Sequence, residues 1–312
     1  MRFVVDASAR ARLFVTGPEA AAFLHRMSTQ HIATLAAGEA RLNVMLTDKG
    51  RIVDVVHHVV VDDGILVVGH RDGGVDLAAW LDRYFFTEKL TLTDVVPTTA
   101  AVIVDAATAE TLVPGAATLA PWQACVRGPL VAVRTFDVAD VDGAPVVAVV
   151  VVSRDPAGAP LPAPTLPHEA FAAAAVAAGV PTLEASEAST PLDLALHDAI
   201  HWAKGCYIGQ EVIARLDTYG KQRKALVGVV VDRVGVDGDV AVGDPVVVGG
   251  IAAGTVTSTA PRRWCPSLPR ALAMVKGVDV DGDGPVDAIV RSAAGDVPAR
   301  LVRRRAAQQP HD

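Results

Sequence analysis

The sequence predicts an α+β protein that ends in a small β-barrel, and three observations carry that reading. Hydrophobic residues make up 51% and charged residues 20% of the 312 residues, enough to bury a core in each of two or three domains. The first half mixes period-2 apolar alternation with two stretches of helical spacing. From Ala225 onward short strands recur between Gly/Asp turns, at 225–231, 245–248, 254–258, 271–275 and 288–290, a spacing that suits a small closed barrel.

The elements follow in order. Residues 13–15 form a short strand that ends at Thr16-Gly17-Pro18. Thr16 is placed to cap a helix over 20–27, with Pro18 and Glu19 suited to its first turn. Residues 41–46 and 52–61 alternate around Thr47-Asp48-Lys49-Gly50 and read as a hairpin, and Asp62-Asp63-Gly64 turns the chain into 65–68. Leu77, Trp80, Leu81 and Tyr84 make one stripe of a helix over 76–86. The Val-rich stretch 91–152 is mostly strands, and its longest apolar run, 146–152, reads as a buried one. Five prolines make 153–167 a loop. A helix over 169–178 ends at Gly179, and a second is expected over 192–203. The tail 303–312 reads as disordered.

Composition excludes several function classes. A net charge of −7 gives no global drive toward nucleic acid or anionic membrane. Mean hydropathy is +0.35, yet no apolar run approaches the roughly 18 residues of a membrane span. Cys125, Cys206 and Cys265 are sparse, odd in number and without a C-x-x-C pair, so neither a disulfide framework nor a zinc or redox pair is expected. No signal-peptide pattern opens the chain, and a reducing cytoplasm is the expected location.

The densest group of special residues is Lys204-Gly205-Cys206-Tyr207-Ile208-Gly209-Gln210-Glu211. Gly205 is expected to end the preceding helix in the left-handed conformation, with Lys204 on that helix's dipole. A helix starting near Gln210 would aim its N-terminus at the loop. A cation and a helix N-terminus both favour a thiolate, which makes Cys206 a candidate nucleophile, ligand or redox group; a tight turn that merely accommodates a small Cys is the alternative. Asp54 sits in an otherwise apolar strand just after Lys49-Gly50-Arg51, where a carboxylate can hold or protonate an amine-bearing heterocycle; an ordinary strand-edge Asp is the alternative. His197 and His201 lie four apart on the expected helix, mimicking a zinc-protease pair without its Glu or a third ligand. His57 and His58 must point to opposite faces of their strand. Asp279 to Gly284 reads as an acidic hairpin turn rather than a calcium loop, because the twelfth position is Val290. Gly220-Lys221-Gln222-Arg223-Lys224 is a basic tip. No metal site is expected.

Taken together, Lys204 to Arg215 resembles the signature of the YgfZ-type folate-binding proteins, relatives of the T-protein aminomethyltransferase of glycine cleavage. Phe14 to Pro18 with Phe23-Leu24, Lys49 to Asp54, Trp80 to Tyr84, Pro191 to Asp193 and Gly254 to Ser258 resemble further parts of that family in the same order. The resemblance implies an aminomethyltransferase (T-protein)-like fold with a central folate channel and a C-terminal β-barrel. It divides the chain into an N-terminal folate-binding part (1–95), a second α+β part carrying the signature (96–224) and the barrel (225–312). It implies a tetrahydrofolate-binding accessory protein that supports assembly or maintenance of iron–sulfur enzymes, with those enzymes as partners and no metabolic reaction of its own. Cys206 would be its key group; Asp54, Arg51, Lys204, Gly205, Tyr207 and Gln210 would meet the folate. Asp54 matches the T-protein's catalytic carboxylate, so a tetrahydrofolate-dependent aminomethyl- or methyltransferase is the rival. The chain departs from its relatives at Ala175-Val176-Ala177, where many carry Arg-x-Glu. That loss removes a partner for the pterin's N–H donors. Glu184 or Glu187 could replace it only if their loop folds back, and a scaffold that no longer binds folate is the third reading.

Overall fold

The structure, a computed structural model, describes residues 2–220, 224–231, 240–261, 263–264, 271–280 and 284–304. The chain opens with β1 (Val4–Asp6), β2 (Arg10–Thr16) and α1 (Ala20–Met27). The expected hairpin follows as β3 (Ala40–Leu46) and β4 (Ile52–Val61), then β5 (Gly64–Asp72), α2 (Leu77–Asp82) and β6 (Thr91–Asp94). Strands β2 to β6 form an antiparallel sheet in the order β3-β4-β5-β2-β6. Phe23 and Leu24 of α1 and Trp80 and Leu81 of α2 cover one face of it, against Val53, Val56 and Val67. Thr16 does not cap α1. Glu19 holds the cap position without bonding the helix, and its carboxylate accepts the Lys89 N–H instead (2.6 Å).

The second sheet takes β7 (Ala100–Asp105), then α3 (Ala106–Leu112), β8 (Ala124–Arg127) and β9 (Leu130–Arg134). A ribbon of β10 (Val138–Ala139) and β11 (Pro145–Val146) precedes β12 (Ala148–Ser153) and α4 (His168–Ala178). The order is β1-β7-β12-β9-β8, so the first strand of the chain leaves its neighbours and pairs with β7. β12 carries the expected apolar run at the centre of this sheet, fully buried. The sequence did not announce α3, which exists because Asp105 accepts the N–H groups of Ala107 and Thr108. α4 ends as expected at Gly179, whose φ is 80°. The free face of the first sheet, with Val55, Val59, Leu66 and Val68, meets Ile103, Val131, Val150 and Val152 of the second in a shared core.

The stretch 192–203 is not a helix. It is a run of turns with one short 3₁₀ turn, His197–Ala199. Ala195 has φ 48°, which breaks a right-handed helix, and the carbonyls a helix would use are taken by the barrel side. Asp193 O accepts from Leu226 N, and Leu194 O accepts from the Arg304 guanidinium.

After α5 (Gln210–Thr218) come β13 (Lys224–Val231), β14 (Pro245–Val248), β15 (Ile251–Thr259), β16 (Ala271–Lys276), β17 (Val286–Ser292) and β18 (Gly295–Val302). They close a barrel in the order β13-β16-β15-β14-β17-β18, filled by Val227, Val229, Val256, Val290 and Leu301. Cys265, residues 221–223 of the basic tip, 281–283 of the acidic turn and 305–312 of the tail lie outside the described residues.

Candidate functional site

Cys206 stands exposed on a loop that is held at both ends. At one end Lys204 is buried, and its Nζ donates to the carbonyls of His25 (2.5 Å), Ser28 (2.7 Å) and Gln30 (2.9 Å). Its ammonium also lies 5.1 Å from the centre of the Tyr207 ring. Burial pulls Lys204 down to about 8 and pushes the Tyr207 phenol up to about 12. Lys204 therefore does meet a helix C-terminus, but that of α1 rather than of a helix of its own. Its charge is committed to three carbonyls. Gly205 has no positive φ and nothing within 4 Å of where a side-chain carbon would stand, so it does not end a helix in the left-handed conformation.

At the other end Ile208 N donates to Arg26 O (3.0 Å), and Gly209 takes φ 81° at the N-cap of α5, which begins at Gln210 as expected. Gly209 has no room for a side chain: its Cβ would lie 2.6 Å from Thr47 O. The signature loop is thereby pressed onto the β3–β4 turn that leads to Asp54.

Asp54 is fully buried. Its Oδ1 accepts the Val55 N–H (2.8 Å) and lies 3.9 Å from Arg71 Nε, while Oδ2 has no hydrogen-bond partner. Oδ2 rests against Gly69 and Gly74, where side-chain carbons would come within 3.1 and 2.9 Å. Burial pushes this carboxyl up to about 7, opposed by Arg71, the Val55 N–H and Arg10. Arg10 is buried beside it, paired with Asp72 at 3.5 Å, and its Nη1 is unpartnered. Asp72 in turn binds His168 Nε2 (2.5 Å) at the start of α4. Orphaned polar atoms this deep are the mark of an unfilled polar site or of stored strain. Sequence reasoning missed Arg10 and Arg71; an arginine opening an apolar strand was the available signal for Arg10.

A cavity of about 540 Å³ lies elsewhere, between the β10–β11 ribbon, the last turn of α4 and the outside of the barrel. Phe136, Asp137, Ala177, Gly179, Gly228 and Val302 are among its lining residues. None of Asp54, Arg51, Lys204, Gly205, Tyr207, Gln210 or Cys206 lines it. Phe136 and Pro181 in its wall touch His70, whose ring lies 4.7 Å from Phe136 and whose Nε2 lies 3.1 Å from Pro181 O. His70 and Gly69 are neighbours on β5 and face opposite sides. Asp54, packed on the Gly69 side, is therefore one strand away from the cavity. Arg51 donates to Ala188 O (3.3 Å) near the surface. The residues expected to share one folate site thus fall into separate places: the clamped loop, the buried carboxyl and a surface arginine.

The histidines do not make a metal pair. His197 and His201 share no helix, and His201 stacks near His31 (5.4 Å), which in turn meets His25 (4.7 Å). His57 and His58 are both fully buried on opposite faces of β4, pushed by burial to about 3. Among the described residues no group of three or more His, Cys, Asp or Glu side chains is placed to hold a metal ion, and no helix is long and apolar enough to cross a membrane.

Residues 3–151, just under half of the chain, match the family model described as the GCVT N-terminal domain. The crystal structure of the glycine cleavage system aminomethyltransferase T from Bartonella henselae superposes with a TM-score of 0.74, covering 97% of this chain and 85% of that one. At 16% identity this likeness shows the fold, which is that of the aminomethyltransferase with its C-terminal barrel. The Arabidopsis thaliana protein named "Putative transferase At1g60990, chloroplastic" is 29% identical over 93 residues, 30% of this chain. The match spans only 22% of that curated relative's length.

Proposed function

We propose that this protein is a tetrahydrofolate-binding accessory protein of the cytoplasm that supports iron–sulfur enzymes, acting on them through Cys206. The observation that carries this reading is the contrast between the two candidate groups. Cys206 is exposed on a loop clamped by Lys204 and Gly209, ready to meet another protein. Asp54 is fully buried and does not line the cavity.

The fit to tetrahydrofolate rests on the cavity. Its volume is in the range of small-molecule sites. It is walled by the α4 turn that carries Ala177, the position where the resembling family has its pterin-gripping Glu. Bound there, the folate would supply a reduced pterin and its one-carbon carrying nitrogens. Ala177, Gly179 and Phe136 would enclose it, and Asp137 would offer it a charged acceptor.

A folate-dependent aminomethyl- or methyltransferase is the second reading. It draws on the unpartnered Asp54 Oδ2 and on a carboxyl that titrates near neutrality, the property of a group that exchanges protons at working pH. Complementation of a strain lacking this protein separates the two, read as the activity of its iron–sulfur enzymes. Loss with Cys206→Ala and retention with Asp54→Asn is the expected result. The reverse assigns one-carbon transfer. Anaerobic calorimetry with tetrahydrofolate tests the ligand itself, and no binding by the unaltered protein would leave a scaffold that has lost its folate.

A further inference from the structure

We propose that Asp137 is the residue that recognises the N–H donor edge of the ligand in the 540 Å³ cavity, replacing the carboxylate that α4 lacks; this rests on the folate reading above. A reduced pterin carries its 2-amino group and ring N–H groups along one edge, and each needs an acceptor once out of water. The α4 wall offers no side-chain acceptor. Ala177 has no polar side-chain atom, and several of the backbone carbonyls nearby already accept a hydrogen bond. Val176 O takes Gly179 N, Ala175 O takes Val180 N, Gly179 O takes Arg304 Nη1, and Pro181 O faces His70 Nε2.

The substitutes named from the sequence are also spent or misplaced. Glu184 is buried and accepts from the Ser258 hydroxyl, the Thr257 hydroxyl (2.7 Å) and Thr182 N (3.0 Å). That carboxylate ties the α4 loop to the barrel. Glu187 is exposed and does not line the cavity. The barrel wall presents Gly228, Val230, Leu272 and Val302, which have no polar side-chain atoms. Arg303 and Arg304 are donors and cannot receive an N–H.

Two carboxylates remain. Asp142 is exposed at the tip of the ribbon, where water competes for it. Asp137 is only part-exposed and is held in place by Arg134, whose Nη2 reaches both of its oxygens at 3.2 and 3.0 Å. One nitrogen shared between two oxygens leaves lone pairs on each for a ligand. A carboxylate fixed by a neighbouring guanidinium is also oriented before the ligand arrives, which lowers the entropy lost on binding.

The test is anaerobic titration calorimetry with tetrahydrofolate on the full chain, comparing the unaltered protein, Asp137→Asn and Asp137→Asn with Ala177→Glu. Asp137→Asn is expected to weaken binding roughly 10- to 100-fold, the loss of a hydrogen bond to a charged acceptor. Its melting temperature without ligand should stay close to that of the unaltered protein, which separates lost recognition from lost fold. Ala177→Glu is expected to restore affinity from the α4 wall of the same cavity. Equal binding by Asp137→Asn and the unaltered protein would overturn the role of Asp137 and leave the folate reading intact. Absence of binding by the unaltered protein would overturn both.

Discussion

Gly50 and Gly209 meet through their backbones. A side-chain carbon on Gly209 would lie 3.1 Å from Gly50 Cα, and one on Gly50 would lie 3.0 Å from Val212 Cβ. Both residues take positive φ, 67° and 81°. Gly209→Ala therefore meets a strained backbone and a carbonyl in its path, and is expected to destabilise by about 2 kcal/mol or more. Gly205→Ala has open space and ordinary φ, and should change stability by less than about 1 kcal/mol. Denaturant melts of the two variants check this; equal losses would refute it.

Lys204→Met should cost about 3 kcal/mol, because the carbonyls of His25, Ser28 and Gln30 are left facing an apolar group. The loop it clamps should open more often. Hydrogen exchange at the Ile208 amide, which donates to Arg26 O, should accelerate in step. Unchanged exchange would mean that Gly209 alone holds the loop.

Acid should unfold the protein early. His57 and His58 are pushed to about 3, and His70 lies well below its ordinary value, each mainly by burial. The unfolded chain takes protons on these residues near pH 6.5 while the native one does not, so stability is lost as pH falls below that value. His57 and His58 each contribute up to about 1.4 kcal/mol per pH unit, and His70 acts in the same direction. Asp54 works in the opposite sense over roughly pH 4–7, but it is one group against three. Urea melts should therefore show lower stability at pH 5 than at pH 7.

Asp54→Asn should stabilise the protein at pH 8. A carboxyl raised from 3.8 to about 7 favours the fold when protonated, and that contribution is lost as pH rises through 7. Removing the buried charge recovers up to about 4 kcal/mol at pH 8 and close to nothing at pH 4. A variant that is less stable at pH 8 would show that the ionised carboxylate is satisfied by Arg10 and Arg71.

Much of the fold was legible because local chemistry and tertiary structure agree. The β3–β4 hairpin combines two largely apolar stretches, the second rich in β-branched residues, with a turn whose Gly50 takes positive φ, and α4 combines an Ala-rich run with a Gly179 cap. The stretch 192–203 misled because Leu192, Leu196, Ala199 and Ile200 repeat at helical spacing. They are buried together, yet the N–H groups of Leu196, Ala199 and Ile200 donate within turns to Pro191, Leu196 and His197. The carbonyls of Asp193 and Leu194 go to Leu226 and Arg304 rather than to residues four further on. For the site, the sequence singled out Cys206 and Asp54 but not what holds them. Lys204 looked like a neighbour of the thiol, whereas its partners are 174 to 179 residues away. Asp137 was invisible, since only the fold brings it to the same cavity as Ala177.

The pairing of β1 with β7 sets an order on assembly during synthesis. Strands β2 to β6 have every partner they need once residue 94 has left the ribosome, so that sheet can form while the rest is still being made. Val4–Asp6, made before that sheet, stays unpaired until Val102–Val104 arrives, and Arg304 reaches Gly179 and Leu194 only after β18 closes the barrel. Val4–Asp6 and Arg304 are thus both late to dock, each on residues that lie far away in the sequence. A nascent chain stalled after β6 should present a protease-resistant first sheet with a cleavable leader in front of it.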